Sequence, residues 1–214
     1  MPRKLVRRGL RELGIGTPRD PLDVYALSLW LGTSYTATAR QLAVLKMVDY
    51  GTADAWAKVE PATVKHTLVG DMVPDDLRND VWWLDARNNR HPISARPGDR
   101  LVVTLEEIPS SGFSWRIDEL PPTLTLLADS FQDHWEPAFS SVPRSNGTLL
   151  GGASPRAFLF EVAAGEHDTV MHVALVKEQS WNPDSRSDEF ELLLTVSAPL
   201  RGIQVPEEAF ALVG

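Results

Sequence analysis

The histidines are the first side chains to test for catalytic or metal-binding chemistry, and their spacing supports neither. The sequence contains five of them: His66, His91, His134, His167 and His172. None begins the spacing His-Glu-x-x-His, which places two zinc ligands on one face of a helix. His167 and His172 are five positions apart around a predicted turn, so we expect them on different faces or levels of a sheet. Surface or edge positions explain the histidines better than a metal site does, and we expect no cofactor.

Other catalytic residue patterns are missing as well. The chain has no cysteine, which excludes disulfides, thiolate metal sites and cysteine nucleophiles. Neither the nucleophile pattern Gly-x-Ser-x-Gly nor the phosphate-binding pattern Gly-x-x-x-x-Gly-Lys-Ser/Thr occurs. The acidic residues are scattered along predicted strands and turns, without a pair placed as general acid and base. We therefore expect a protein that is not an enzyme.

The most unusual local sequence is the segment Ile108–Trp115, which links two strong strand patterns. Pro109 fixes one φ angle, and Gly112 permits a positive φ angle after two small serines. Phe113 and Trp115 are two positions apart, so both can anchor the following strand in a core. The segment predicts a narrow, stiff loop with a polar tip, which loses little entropy on binding. The alternative is a plain hairpin turn whose aromatic residues serve only the core.

The elements that position this loop are strands, because the second half of the chain alternates with period two. Leu101, Val103 and Leu105 share one face of Arg100–Glu107. The segments Ala157–Val162 and Thr169–Lys177 are strand-like, and Glu189–Val196 places alternate apolar residues on one face. Clusters of Gly, Pro, Asn and Asp separate these segments, as an antiparallel sandwich requires.

The first half of the chain has helical patterns instead. Asp20 and Pro21 suit the start of a helix that Gly32 ends, and further helices are predicted from Thr33 or Ser34, from Thr52 and from Pro61. Trp82 and Trp83 either seal a joint between domains or belong to a first strand. We therefore predict an α+β chain with two domains: a small helical domain at residues 1–87, an all-β antiparallel sandwich at residues 88–200, and a tail at residues 201–214.

Charge is distributed unevenly along the chain, whose net charge is −8. Residues 1–90 carry 13 basic and 11 acidic residues, whereas residues 91–214 carry 8 and 18. The basic excess comes from Arg3, Lys4, Arg7, Arg8 and Arg11. This segment is interpreted either as a solvated, partly frayed terminus or as a contact for nucleic acid or an acidic partner. The acidic second half makes nucleic acid an unlikely partner there, because phosphates repel it.

The loop at Ile108–Trp115 resembles the signature loop Asn-Pro-Thr-Thr-Gly-Tyr-x-Trp of the chagasin-type inhibitors of papain-like cysteine proteases. Pro109, Gly112 and Trp115 match that loop directly. Ile108 stands in place of Asn, Phe113 in place of Tyr, and Ser110 and Ser111 in place of the two Thr residues.

Two further elements of that family follow in the same order and at similar spacing. The glycine-rich loop of the family resembles Gly151, Gly152, Ala153 and Ser154, which precede the alternating Phe158 and Phe160. The family's Arg-Pro-Trp loop resembles Gln179, Ser180 and Trp181, in which only the Trp is retained. The resemblance covers about residues 88–200.

The resemblance implies an immunoglobulin-like sandwich whose three loops enter the active-site cleft of a papain-like cysteine protease. The block is steric and noncovalent, and it requires shape, buried aromatic area and backbone hydrogen bonds. The loop with Ser110, Ser111 and Gly112 is expected over the catalytic Cys and His of the protease. The Gly151–Ser154 loop and Trp181 are expected to brace the cleft walls, and Trp181 is the expected binding hot spot.

Residues 20–60 also resemble, more weakly, the C-terminal helical part of ImmA/IrrE-type metallopeptidases. The segment Leu31-Gly32-Thr33-Ser34-Tyr35 with Ala39, Leu42 and Leu45 carries this likeness, without the metal-binding helix. The basic start and this helix pair leave a second hypothesis open, a regulatory protein whose helical domain binds DNA or a partner protein while the sandwich docks. A third hypothesis is an enzyme with unrecognised residues. Without a secretory signal or a run of roughly 18 apolar residues, we expect a soluble cytoplasmic protein with no membrane partner. The sequence leaves the oligomeric state open.

Overall fold

The computed structural model describes residues 2–72, 78–131, 154–164, 169–182 and 184–197. Contacts between Cα atoms divide the described chain into two compact units, residues 1–59 and residues 60–199. The predicted domain limits of 1–87, 88–200 and 201–214 stay predictions. Within the described residues, no helix combines the length and apolar character that crossing a membrane requires.

The helices lie in the first third of the chain. They are α1 (Arg3–Glu12), α2 (Pro21–Leu31), α3 (Tyr35–Val44), α4 (Tyr50–Ala57) and α5 (Pro61–Val69). The strands are β1 (Val81–Asp85), β2 (Pro92–Ala95), β3 (Arg100–Glu107), β4 (Phe113–Glu119), β5 (Leu124–Phe131), β6 (Ser154–Val162), β7 (Val170–Gln179) and β8 (Asp188–Val196).

Helix α2 begins and ends where the sequence predicts. The Asp20 carboxylate accepts a hydrogen bond from the backbone N–H of Asp23, and Pro21 occupies the first turn. Gly32 ends the helix in the left-handed conformation, with φ 61°. Of the two predicted caps for α3, Ser34 is the one used.

Two predictions about the helical unit are wrong. The basic segment at the start is not frayed but forms α1, whose Val6 and Leu10 are buried. Its Gly9 is also buried, and a Cβ atom there would lie 2.6 Å from the Trp30 ring, so only glycine permits this close packing. Thr52 does not cap α4; Asp49 does, by accepting hydrogen bonds from the backbone N–H and the hydroxyl of Thr52.

The second unit contains α5 and a β-sandwich of two four-stranded sheets. The strand order is β1-β3-β6-β5 in the first sheet and β2-β8-β7-β4 in the second. Apolar side chains from the inner faces of both sheets form one core, as the period-two pattern predicts. From the first sheet come Leu84, Leu101, Val103, Leu105, Leu124, Phe158, Phe160 and Val162; from the second come Ala95, Trp115, Val173, Leu175, Phe190, Leu192, Leu194 and Val196.

Each sheet departs from the predicted antiparallel arrangement at one edge. Strand β1 pairs with β3 in parallel, and β2 pairs with β8 in parallel. The reason is that β1, β2, β3 and β4 alternate between the two sheets, so β1 is not the hairpin partner of β2. Side-chain periodicity reports which face is buried and says nothing about strand direction. Trp82 and Trp83 belong to this first strand, the second of their two predicted roles.

Candidate protein-binding site

The connection between β3 and β4 is the centre of the candidate site. It crosses from the first sheet to the second, and is therefore not a hairpin turn. Pro109, Ser110 and Ser111 form one exposed 3-10 turn. Gly112 follows with φ 76°, the left-handed conformation that other residues rarely adopt, and β4 begins at the next residue. The predicted stiff loop therefore has a structural basis in a proline, a 3-10 turn and a glycine.

The hydroxyl of Ser111 closes this loop. It donates a hydrogen bond to the backbone carbonyl of Ile108 at 2.6 Å and accepts one from the backbone N–H of Phe113 at 3.2 Å. The backbone N–H of Ser111 also donates to the Ile108 carbonyl, at 2.9 Å. Ser111 thus shapes the loop, whereas the exposed Ser110 side chain has no hydrogen-bond partner among the described residues.

A buried carboxylate supports the loop from below. Glu107 is the last residue of β3, is 3% exposed, and accepts a hydrogen bond from the backbone N–H of Trp115 at 2.8 Å. The Trp115 ring lies in the core, and its indole N–H donates to the Glu106 carbonyl at 3.0 Å. These contacts tie the two ends of the loop together, so Trp115 is an anchor as predicted. Phe113 is only half-buried.

Arg156 completes the support beneath the loop. Its guanidinium lies 3.2 Å from the Glu107 carboxylate and makes two hydrogen bonds of 2.8 Å to Asp129. The same group lies over the rings of Phe131 and Phe158, at 5.6 Å and 5.1 Å. The hydrogen bonds to Asp129 raise the pKa of Arg156 above its ordinary value, so the guanidinium keeps its charge.

The second predicted loop lies largely outside the described residues, which exclude Gly151, Gly152 and Ala153. Ser154 is described as the first residue of β6, where it pairs with Glu107 of β3. The start of β6 therefore lies beside the end of β3, at the same end of the sandwich as the loop with Gly112.

The third predicted loop follows β7 and is a tight turn. The backbone N–H of Asn182 donates to the Gln179 carbonyl at 2.9 Å. The hydroxyl of Ser185 accepts from the Gln179 N–H at 2.9 Å and donates to the Asn182 carbonyl at 2.6 Å. Ser180 and Trp181 are exposed at its tip, and the indole of Trp181 is 69% exposed.

The first and third loops come together through Trp181 and Gly112. Strands β4 and β7 pair so that Phe113 lies opposite Gln179, which places the two loops side by side. A Cβ atom on Gly112 would lie 2.5 Å from Cη2 of the Trp181 indole. The indole thus lies directly on the glycine backbone while most of its surface remains open to solvent. Ile108, 41% exposed, adds a second apolar side chain at this end.

The arrangement has features that suit protein binding. Among the described residues, no group of three or more His, Asp or Glu side chains is placed to hold a metal ion. The loops present two exposed apolar side chains, Trp181 and Ile108, beside exposed serines on a braced backbone, and aromatic anchors are enriched among the residues that dominate binding at protein interfaces.

Sequence reasoning missed Glu107 and Arg156, although both left a signal. Glu107 continues the buried face of Leu101, Val103 and Leu105, where a carboxylate needs a partner. Arg156 stands two residues before Phe158 on the same face of β6. A charged residue that extends the apolar face of a strand marks a buried ion pair of this kind.

The comparisons with known proteins give structural neighbours alone. No protein-family model matches the chain, and no curated protein matches it. Among solved structures, the cysteine protease inhibitor EhICP2 from Entamoeba histolytica shares 15% identity with a TM-score of 0.45, over 56% of this chain and 99% of that chain. Amebosin shares 18% identity with a TM-score of 0.41, over 55% of this chain and 98% of that chain. PbICP-C, solved in complex with falcipain-2, shares 15% identity with a TM-score of 0.31, over 58% of this chain and 96% of that chain.

Proposed function

We propose that the chain is a noncovalent protein inhibitor of papain-like cysteine proteases, and that it inserts the loops at one end of its sandwich into the active-site cleft. The observation that carries this proposal is the contact between Trp181 and Gly112. It joins two of the three loops that resemble the inhibitor motifs into one exposed surface.

The physical basis of inhibition is steric. A loop that is already closed by Ser111 and supported by Glu107 has little conformational entropy left to lose on binding. Exposed apolar side chains such as Trp181 and Ile108 then supply contact area that water leaves when the cleft closes around them. The inhibitor needs no reactive group, because it blocks access to the catalytic Cys and His of the protease.

The departures from the inhibitor motif alter the chemistry of this surface. Ile108 replaces a polar Asn, and it offers an apolar side chain at the edge of the loop. The Arg and Pro that precede the Trp in the family's third loop are Gln179 and Ser180 here. Trp181 therefore has to supply most of the contact that the third loop makes. In this proposal, residues Gly151–Ser154 brace the opposite wall of the cleft.

The test is inhibition of papain by the full chain, with a fluorogenic peptide substrate. We expect reversible inhibition that rises with inhibitor concentration and is overcome by substrate, and no effect on trypsin as a serine-protease control. A lack of inhibition across a panel of papain-like proteases would contradict the proposal. A chain acting in the cytoplasm, as the sequence predicts, needs a cytoplasmic or imported target.

A further inference from the structure

A cavity on the helical unit is lined by four cations that the proposed inhibitory loops do not use. The cavity measures about 590 Å³, within the range of small-molecule sites. Arg3, Arg7 and Arg11 line it from α1, and Lys46 lines it from the residues that follow α3. The three arginines recur every four residues, so they project from one face of α1 over about 12 Å.

These four cations are not neutralised by the described part of the chain. Among the described residues, none of the four has a carboxylate partner and no acidic side chain lines the cavity. The acidic residue within α1 is Glu12, whose carboxylate is occupied by Arg8 at 2.7 Å and by the Trp30 indole N–H at 3.1 Å. Four like charges around one concavity repel one another, and an anion bound among them relieves that repulsion.

Lys46 has a backbone conformation that glycine would adopt with less strain. Its φ is 54°, and it stands just beyond the end of α3, where glycine is the usual residue. Its backbone N–H donates to the Ala43 carbonyl at 2.8 Å, a bond that glycine would make equally well. The side chain is therefore what a lysine adds at this position, and it lines the cavity with the arginines.

The basic side chains that line the cavity favour phosphate as a ligand. Guanidinium groups bind phosphate oxygens in pairs, and lysine adds a point charge. Buried Leu10 and half-buried Met47 also line the cavity, beside the four exposed cations. A long polyanion is disfavoured because the chain carries a net charge of −8, whereas a small ligand responds mainly to charges within about 8 Å.

We propose that this cavity is a binding site for a small phosphorylated molecule that carries two or more phosphate groups. The site lies on the helical unit, so it is independent of the proposed inhibition of proteases. In this proposal the basic start of the chain binds a small anion. It is neither a frayed terminus nor a contact for nucleic acid.

The experiment is isothermal titration calorimetry of the full chain with inorganic tripolyphosphate in 50 mM NaCl. We expect a dissociation constant in the micromolar range, and binding to single orthophosphate that is at least tenfold weaker. The variant Arg7→Gln is expected to weaken tripolyphosphate binding at least tenfold. The control Lys4→Gln removes the same charge from an exposed position of α1 outside the cavity, and is expected to change binding less than twofold.

A second variant separates binding from structural effects. Lys46→Gly is expected to raise the melting temperature of the chain and yet to weaken tripolyphosphate binding at least threefold. A purely structural role for Lys46 would not combine these two changes. The proposal is overturned if tripolyphosphate does not bind, if Lys4→Gln weakens binding as much as Arg7→Gln does, or if a 20-base-pair DNA duplex binds more tightly than tripolyphosphate.

Discussion

The indole of Trp181 lies on the backbone of Gly112 so closely that a Cβ atom at this glycine would be 2.5 Å from Cη2. This contact joins two turns that are almost 70 residues apart in the sequence, and the pairing of Phe113 with Gln179 holds it in register. The glycine thus serves two purposes: it permits the positive φ angle that ends the 3-10 turn, and it leaves room for the ring.

Replacing this glycine tests whether the contact matters for inhibition. We expect Gly112→Ala to raise the inhibition constant for papain at least tenfold, because the new Cβ atom must displace the indole. The positive φ angle strains the alanine, which lowers the free energy of unfolding by about 1–2 kcal/mol. Enzyme inhibition and urea unfolding measure the two effects. The control is Gly16→Ala, where no atom lies within 4 Å of the added Cβ, and neither quantity should change.

Truncating the indole itself is expected to weaken inhibition without destabilising the fold. Because Trp181 is 69% exposed, Trp181→Ala should change the free energy of unfolding by less than about 0.5 kcal/mol. The inhibition constant should rise at least 30-fold, a loss of about 2 kcal/mol that is typical of an aromatic hot spot. Tyr50→Ala is the matched control, since Tyr50 is an equally exposed aromatic residue, at 70%, on the helical unit.

The double variant provides a stricter test of the same contact. If Gly112 acts by positioning Trp181, then Gly112→Ala combined with Trp181→Ala should inhibit no worse than Trp181→Ala alone. Losses that add in full would show that the two residues contribute independently, which would contradict the positioning role.

The fold was predictable where one physical rule dominates a segment. Period-two alternation predicts the buried faces of β3 and β8, since a strand exposes successive side chains to opposite sides. Asp20, Pro21 and Gly32 predict both ends of α2, because capping and glycine termination are local. Strand direction depends on segments that are far apart in the chain. The sequence therefore carries no signal that β1 pairs in parallel with β3, or that β2 pairs in parallel with β8.

Helix α1 was missed for a different reason. Five of its ten residues are basic, and such a segment resembles a solvated terminus by composition. Its burial depends on Val6, Gly9 and Leu10, which recur at the helical spacing of three and four but are few. The close packing of Gly9 against Trp30 involves residues 21 positions apart, and no local pattern reports it.

The candidate site was likewise predictable only in part. Pro109, Gly112 and Trp115 indicate the loop directly, because each residue type restricts the backbone or fills a core. The contact of Gly112 with Trp181 depends on the register of β4 against β7, which the sequence does not specify. The sequence signals that Glu107 and Arg156 are charged residues on apolar strand faces, but their pairing with each other depends on the pairing of β3 with β6, which only the structure shows.

Removing the buried charge beneath the loop should therefore destabilise the sandwich. We expect Glu107→Gln to lower the free energy of unfolding by about 2 kcal/mol, because Arg156 loses one of its two carboxylate partners in a buried setting. The neighbouring Glu106→Gln is the matched control, since that side chain is exposed, and it should cost less than about 0.5 kcal/mol. Urea unfolding measures both variants. Equal losses in the free energy of unfolding would show that the buried ion pair stabilises the fold no more than an exposed glutamate does.

Tyr35 is buried in the helical unit, and its hydroxyl donates a hydrogen bond to the Trp56 carbonyl at 2.9 Å. Burial, with a smaller contribution from Asp20, raises the pKa of Tyr35 from 10.0 to about 12. Above pH 10 the unfolded chain releases this proton first, so the free energy of unfolding falls with rising pH, by up to about 1.4 kcal/mol per pH unit. Tyr35→Phe loses the hydrogen bond, at a cost of about 1 kcal/mol near pH 8. Urea unfolding from pH 8 to 11.5 should show this deficit shrink and reverse near pH 11, and a constant deficit would contradict the raised pKa.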